Sequence, residues 1–157
     1  MATWSAAEVS TTTSSLLDHA GYDTTDRKIP DTNMTTSGTN APAIAFDCLI
    51  PQIAAVPDDC DDLCATLSGE AGQLVQINPL QILEFELGTC GMGIVNLSPC
   101  VVRFEDRGNL GAFCNTMVQQ CIANGNDAIS TVEGTPPAQY ALYGLNAPPA
   151  YSPPASC

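Results

Sequence analysis

Cysteines are the feature of this sequence that most constrains its fold. The 157-residue chain holds eight of them, and none lies before position 48. An even number of cysteines in a short chain favours structural disulfides made in an oxidising compartment, so we predict a secreted, extracellular protein. The predicted disulfide residues are Cys48, Cys60, Cys64, Cys90, Cys100, Cys114, Cys121 and Cys157.

The spacing of the cysteines limits how they pair. Cys114 and Cys121 lie on one predicted helix, separated by a rise of about 10 Å, whereas a disulfide spans Cα atoms up to about 7 Å apart. We therefore expect them to bond to different partners and to tie two turns of the helix to a sheet. Cys60 and Cys64, on a shorter predicted helix, are also expected to bond elsewhere.

The remaining pairings stay open. Cys90 and Cys100 could bond to each other only if the segment between them folds back. Cys157 is the last residue of a proline-rich tail, and we expect it to tie that tail to the body of the protein. A bond to another molecule is the alternative for Cys157.

The charge of the chain excludes several classes of protein. Four basic residues against 17 acidic ones give a net charge of −13. Such an acidic protein is not expected to bind nucleic acids or anionic membranes, because both depend on Lys and Arg contacts.

No apolar run approaches the roughly 18 residues of a membrane span. The first residues lack the pattern of a secretory signal, so we expect this to be the mature chain.

The composition divides the sequence into three parts. Residues 1–40 are rich in Ser and Thr and contain no cysteine, which predicts a flexible or loosely attached arm. Within that arm, residues 6–17 are expected to form at most one helical turn or an edge strand. Residues 41–145 are predicted to form one disulfide-stabilised domain, and residues 146–157 form the proline-rich tail.

The hydrophobic pattern predicts an α+β fold. Leu83, Phe85 and Leu87 alternate with acidic residues, which is the period of a half-buried strand. Leu110 to Cys121 carry apolar residues at helical spacing, so we predict one main amphipathic helix over about 109–123. We expect this helix to pack on a small antiparallel or mixed sheet. Other predicted elements are a helix from about residue 59, capped by aspartates, and strands at 91–95, 101–104, 129–132 and 139–142, with a strand or helix start at 44–50.

Residues suited to catalysis are scarce. His19 is the only histidine and lies in the predicted arm, so a nucleophile would have almost no candidate base. The carboxylates Glu84, Glu86, Glu105 and Asp106 are interpreted as the polar face of a strand and the entry to a helix. We therefore predict that the protein is not an enzyme and has no catalytic residues.

We also predict no metal or cofactor. Cys60 and Cys64 lack the second cysteine pair of a zinc site. The acidic residues 58–62 lack the spacing of a calcium-binding loop and are interpreted as a solvated helix start. Two Asn-X-Ser/Thr sequences, at Asn33 and Asn96, predict N-glycosylation.

Two segments and a helix resemble a known family. Residues 41–50, Ala-Pro-Ala-Ile-Ala-Phe-Asp-Cys-Leu-Ile, resemble the opening of the necrosis-inducing factor family of fungal secreted proteins. Residues 88–94, Gly-Thr-Cys-Gly-Met-Gly-Ile, are similar to its Gly-Thr-Cys strand, although Met92 replaces the usual aromatic residue. The helix after Asp106 completes a resemblance that covers about residues 41–123, in a chain with more cysteines than the family.

That resemblance implies a function. The family is akin to secreted fungal killer toxins with an α/β-sandwich, and it brings no catalytic residues. It implies a virulence or cell-death-inducing effector, or an antagonist of competing microbes, that acts by binding a protein or glycan target.

Two alternative functions remain open. A carbohydrate-binding or cell-wall surface protein would need several exposed aromatic residues on one face. A self-assembling extracellular structural protein would associate through its termini. The candidate aromatic residues for the first are Trp4, Tyr22, Tyr140, Tyr143 and Tyr151.

Overall fold

The computed structural model describes residues 9–15, 46–132 and 136–145 of the chain. These residues form eight strands, two α-helices and one 3₁₀ turn at Ile122–Asn124. The elements in chain order are β1 (Ser10–Ser15), β2 (Asp47–Leu49), α1 (Pro57–Gly69), β3 (Leu74–Ile77), β4 (Gln81–Leu87), β5 (Cys90–Asn96), β6 (Arg103–Asp106), α2 (Arg107–Gln120), β7 (Asp127–Val132) and β8 (Ala138–Gly144).

The strands form two separate sheets. The larger sheet has six strands in the order β1-β4-β5-β8-β7-β2, and the smaller one is a two-stranded ribbon of β3 and β6. Every pair of neighbouring strands is antiparallel. This arrangement confirms the predicted α+β fold. Of the two predicted kinds of sheet, antiparallel or mixed, the structure shows the antiparallel one.

The hydrophobic core lies between the large sheet and the two helices. Leu83, Phe85 and Leu87 of β4 face this core, as their alternation predicts. Met92 and Ile94 of β5 extend the same face. The core therefore fixes which side of the sheet each helix covers.

Strand β1 closes one edge of the large sheet. Residues 10–15 pair with β4 from Ser10 opposite Glu86 to Ser15 opposite Gln81. Of the two alternatives predicted for residues 6–17, the structure shows the edge strand. Threonine suits it because a β-branched side chain fits extended backbone. Part of the Ser/Thr-rich segment thus belongs to the sheet.

Helix α1 begins differently from the prediction. Its N-cap is Val56, which makes no side-chain capping bond, and proline follows at the first helical position. The carboxylate of Asp59 accepts hydrogen bonds from the backbone N–H and the hydroxyl of Thr89, both at 2.7 Å. These bonds lower the pKa of Asp59 and fasten α1 to the turn between β4 and β5.

Helix α2 begins at Arg107 with a capped end. The side chain of Asp106 accepts a hydrogen bond from the backbone N–H of Asn109 at 3.2 Å. The helix ends at Gln120, three residues earlier than the predicted Ala123, because the chain tightens into the 3₁₀ turn. Gly125 then adopts a φ of 78°, a conformation that favours glycine.

The two helices approach each other closely through small residues. A methyl group at Gly111 would lie 2.3 Å from both the backbone nitrogen and the hydroxyl of Ser68 on α1. A methyl group at Gly108 would lie 2.7 Å from Cβ of Ala71. A larger side chain at Gly111 would push the helices apart, and one at Gly108 would push α2 away from the turn after α1.

Three buried or half-buried disulfides cross-link this frame. Cys60 bonds to Cys90 and joins α1 to the sheet, and Cys64 bonds to Cys114 and joins the two helices. Cys48 of β2 bonds to Cys121. Cys114 and Cys121 therefore have different partners, as their spacing predicts. The expectation that Cys114 is tied to the sheet is wrong, because its partner lies on α1.

Candidate functional site

The ribbon of β3 and β6 presents apolar side chains to solvent. Gln76 lies opposite Phe104 in the ladder, and Leu74 lies opposite Asp106, so these four side chains share the outer face. Leu74 is 68% exposed and Phe104 is 60% exposed. Val101, just before β6, is 44% exposed. We call Leu74, Gln76, Val101 and Phe104 the ribbon surface.

The inner face of the ribbon is tied to the large sheet by a polar network. Arg103 donates one hydrogen bond to the hydroxyl of Tyr140 on β8 at 2.7 Å and another to the carbonyl of Pro136 at 2.6 Å. The hydroxyl of Tyr140 in turn donates to Glu105 at 2.5 Å. Arg103 also forms an ion pair with Glu105. This network holds the ribbon in one position against the body.

Burial and charge shift the pKa values in this network. Burial raises the pKa of Tyr140 well above its usual value, and the negative charge of Glu105 raises it further. Burial acts to lower the pKa of Arg103, but its contacts with Tyr140 and Glu105 outweigh burial and raise it. At neutral pH the network therefore contains a neutral phenol and a charged guanidinium.

The raised pKa of Tyr140 predicts a loss of stability at alkaline pH. An unfolded tyrosine ionises near its reference value of 10.0, whereas folded Tyr140 keeps its proton. Its contribution to stability is therefore complete below about pH 10 and decreases above it. Tyr140→Phe should lower the free energy of unfolding by about 1 kcal/mol at pH 8, and this deficit should shrink at pH 11. Urea unfolding at both pH values measures it, and an unchanged deficit would contradict this account.

Asn96 clamps the two strands of the ribbon where they meet the large sheet. Its side-chain amide donates hydrogen bonds to the carbonyl of Ile77 at 3.0 Å and to the carbonyl of Val101 at 2.8 Å. Its side-chain oxygen accepts a bond from the backbone N–H of Ser98 at 3.0 Å. The hydroxyl of Ser98 accepts bonds from the backbone N–H groups of Cys100 and Val101.

The geometry of Asn96 argues against one sequence prediction. The residue is fully buried, and both N–H bonds of its amide are used inside the protein. A glycan on that nitrogen would remove a donor and would have no path to solvent in the folded chain. Asn96 therefore has a structural role, and the predicted glycosylation site at Asn33 lies outside the described residues.

We accordingly expect Asn96 to carry no glycan in folded protein. The test is peptide mass mapping of protein secreted from a eukaryotic host, with and without enzymatic removal of N-glycans. The Asn96 peptide should have its unmodified mass in both samples. A glycan on most of the folded molecules would contradict the buried position.

The other predicted site residues are structural where the structure describes them. All seven described cysteines are disulfide-bonded, and Cys157 lies outside the described residues. Tyr140 and Tyr143 are 4% and 2% exposed on opposite faces of β8, so neither is available to stack on a sugar. His19, Trp4, Tyr22 and Tyr151 lie outside the described residues.

The candidate carboxylates also make structural contacts. Glu84 accepts a hydrogen bond from the hydroxyl of Tyr143 at 2.7 Å, and Glu105 and Asp106 hold the ribbon network and the α2 cap. Glu86 is partly buried on the sheet face that it shares with Glu84. Asp58, Asp61 and Asp62 are exposed on α1. Within the described part of the chain, no group of three or more His, Cys, Asp or Glu residues is placed to hold a metal ion.

The described surface is strongly acidic. Its two arginines are both in ion pairs, Arg103 with Glu105 and Arg107 with Glu70 at 2.6 Å. Arg107 also lies 5.3 Å from the centre of the Phe85 ring. The described part of the chain contains no other arginine or lysine. Neither described helix is long and apolar enough to span a membrane.

Comparisons with known proteins identify no relative. The chain matches no protein-family model, no curated protein and no solved structure. The resemblance to the necrosis-inducing factor family therefore stays a prediction.

Proposed function

We propose that this chain is a secreted, disulfide-stabilised protein of the effector type that acts by binding a host or microbial target rather than by catalysis. The disulfides support a location outside the cell, because such bonds persist in oxidising surroundings. The described carboxylates whose contacts are known bond to backbone N–H groups, to hydroxyl groups or to arginines of the chain itself. The binding role is carried by one observation, the ribbon surface.

The ribbon surface has the properties of a recognition surface. Leaving Phe104 and Leu74 exposed forgoes about 1.5–3 kcal/mol for each side chain relative to burial. The strands that carry them are nevertheless held rigidly, by Asn96 at one end and by Arg103 on the inner face. Rigid support lowers the entropy lost on binding, so exposed apolar side chains on such a ribbon are available to a partner.

The charge of the protein specifies the chemistry of that partner. The chain has a net charge of −13, and the two described arginines are already paired. The complementary surface has an apolar centre that covers Leu74 and Phe104, and lysine or arginine side chains around it. Opposite charges would speed the encounter, and apolar contact would supply most of the affinity.

The test is a binding measurement with oxidised, fluorescently labelled protein. Labelled protein is applied to plant leaf tissue and to fungal and bacterial cells, with unlabelled protein as competitor, while ion leakage and growth are recorded. We expect saturable binding to at least one of these, weakened by salt. Absence of saturable binding to all of them would overturn the proposed function.

A pair of matched variants locates the binding surface. Leu74→Ser combined with Phe104→Ser should weaken binding at least tenfold. Ile53→Ser is the control, because Ile53 is 53% exposed and lies outside the ribbon. Circular dichroism verifies that each variant is folded. Equal binding by both variants would show that the ribbon surface is not the contact.

A further inference from the structure

Strand β3 has one edge that no described strand covers. Its other edge pairs with β6, and among the described residues these two strands form a sheet of their own. In an antiparallel pair, residues that exchange hydrogen bonds across the ladder alternate with residues whose backbone groups point away from it. This alternation decides which backbone groups of β3 are open to a partner.

The register identifies the open groups. The backbone N–H of Arg107 donates to the carbonyl of Gln73 at 3.0 Å, so these two residues form a hydrogen-bonded pair just before β3. Counting from Gln73, the alternation turns the N–H and C=O groups of Leu74 and Gln76 away from β6. Within the described chain no other backbone hydrogen bond involves these groups, and both side chains are exposed. We call the outward groups of Leu74 and Gln76 the β3 edge.

The β3 edge lacks the features that usually prevent strand pairing. Edge strands are commonly protected by charged residues or by proline. Strand β3 reads Leu-Val-Gln-Ile and contains neither. The edge strands of the large sheet differ, because β1 consists of Ser and Thr and β2 has only three residues, the first an aspartate. At β3, an added strand could both pair with the backbone and cover the exposed side chains of the ribbon surface.

The charge of the protein distinguishes between two occupants of this edge. A second copy of the chain could pair edge to edge, but both copies would carry a net charge of −13 and would repel each other. A strand with lysine or arginine side chains would be attracted instead. Its apolar side chains, at every second position, would lie on the face that Leu74 shares with Phe104.

We propose that the partner of the ribbon surface is an extended protein segment, with apolar residues alternating with basic ones, that pairs with the β3 edge as an added strand. This inference rests on the binding role proposed above and adds the mode of recognition. Backbone hydrogen bonds supply affinity in this mode, and alternate side chains supply specificity. The bond from Asn96 to the carbonyl of Ile77 holds β3 in place, so the strand is already ordered before the partner arrives.

Hydrogen exchange of the wild-type protein, followed by NMR, tests the pairing. The probe is a synthetic peptide, Lys-Val-Lys-Val-Lys-Val-Lys, and the control is the same peptide with its backbone nitrogens methylated, which keeps the charge but cannot donate hydrogen bonds. The unmethylated peptide should slow exchange at Leu74 and Gln76 at least tenfold. Exchange at Val75 and Ile77, which already bond to β6, should change little. Equal effects of both peptides, or no slowing at millimolar peptide, would overturn the proposal.

A pair of variants at one position tests the same edge. Gln76→Pro removes an outward N–H, which proline can replace on an edge strand without breaking the ladder to β6. Gln76→Thr is the matched control, because it keeps the N–H and suits extended backbone. With both variants folded by circular dichroism, Gln76→Pro should bind the peptide at least tenfold more weakly than Gln76→Thr. Equal affinities would contradict pairing at this edge.

The same variants separate this inference from the proposed function. Suppose that Gln76→Pro binds leaf tissue or microbial cells as tightly as Gln76→Thr, while the combined Leu74→Ser and Phe104→Ser variant binds weakly. The ribbon surface would then act without an added strand, and only this inference would fail. If the wild type binds no cells, the proposed function fails, whereas the peptide measurements still decide whether the β3 edge accepts a strand. A wild-type dimer that Gln76→Pro abolishes would overturn the choice of a foreign partner.

Discussion

Replacing both Cys64 and Cys114 by alanine is expected to lower the free energy of unfolding by about 4 kcal/mol. This disulfide joins α1 to α2 across a sequence separation of 50 residues. Without this disulfide the unfolded chain regains the conformational entropy that the closed loop had removed, which favours unfolding. The folded helices also lose their only covalent link to each other among the described residues. Chemical unfolding in urea, monitored by circular dichroism, measures the change.

The control for this prediction is the same comparison under reducing conditions. With all disulfides reduced, wild type and variant differ only in two buried side chains, so the gap between their stabilities should become small. A gap that persists under reduction would mean that packing, and not the cross-link, accounts for the effect.

Substituting Asn96 is expected to have the second largest effect. Asn96→Ala leaves two carbonyls and one backbone N–H without their partner, and each lost partner costs about 1 kcal/mol or more at a buried position. We expect a loss of about 3 kcal/mol in the free energy of unfolding. Asn78→Ala is the matched control, because Asn78 is exposed and should change stability by no more than about 0.5 kcal/mol.

A second variant tests the direction of the hydrogen bonds. Asn96→Asp keeps an acceptor for Ser98 but loses both donors, and its carboxylate would face two carbonyl oxygens. Burial and these oxygens would raise the pKa of the new carboxyl, so its folded form is favoured when it is protonated. The variant should therefore recover part of its stability as the pH falls from 7 to about 4. Equal destabilisation at both pH values would contradict the donor role of Asn96.

The elements that could be predicted from the sequence are those that bury one side and leave the other polar, because their hydrophobic residues then recur at a regular spacing. Strand β4 alternates Leu83, Phe85 and Leu87 because only its core side meets the helices. Helix α2 shows its apolar stripe for the same reason. In both cases one side of the element contacts apolar neighbours and the other carries polar groups. The period of the hydrophobic residues was therefore sufficient to identify the strand and the helix.

The ribbon was only partly predictable, because tertiary contacts decide it. No strand was predicted at residues 74–77, where Leu74 is exposed and Ile77 is buried, so hydropathy gives no consistent face. The buried position of Asn96 could not be predicted for a related reason. A three-residue glycosylation signal does not reveal whether the amide faces solvent, whereas a buried clamp depends on carbonyls 19 and 5 residues away.

The capping of α1 and the pairing of the cysteines could not be predicted from the sequence for a similar reason. Aspartates before a helix usually cap it, yet Asp59 bonds Thr89, which is 30 residues distant in sequence. The spacing of the cysteines excluded some pairs, but it could not identify α1 as the partner of Cys114. Each of these choices is made by residues that are close only in the folded chain.

The edge strand β1 has a consequence for solubility. Its Ser and Thr residues pair with β4, a strand with four large apolar residues, and thereby occupy backbone groups that would otherwise be open. At the opposite edge, β2 is only three residues long. A chain shortened to start at Ala41 would leave β4 as a seven-residue open edge, a template on which other molecules could add as strands. The hydroxyl-rich strand β1 thus keeps the largely apolar strand β4 away from the rim of the sheet.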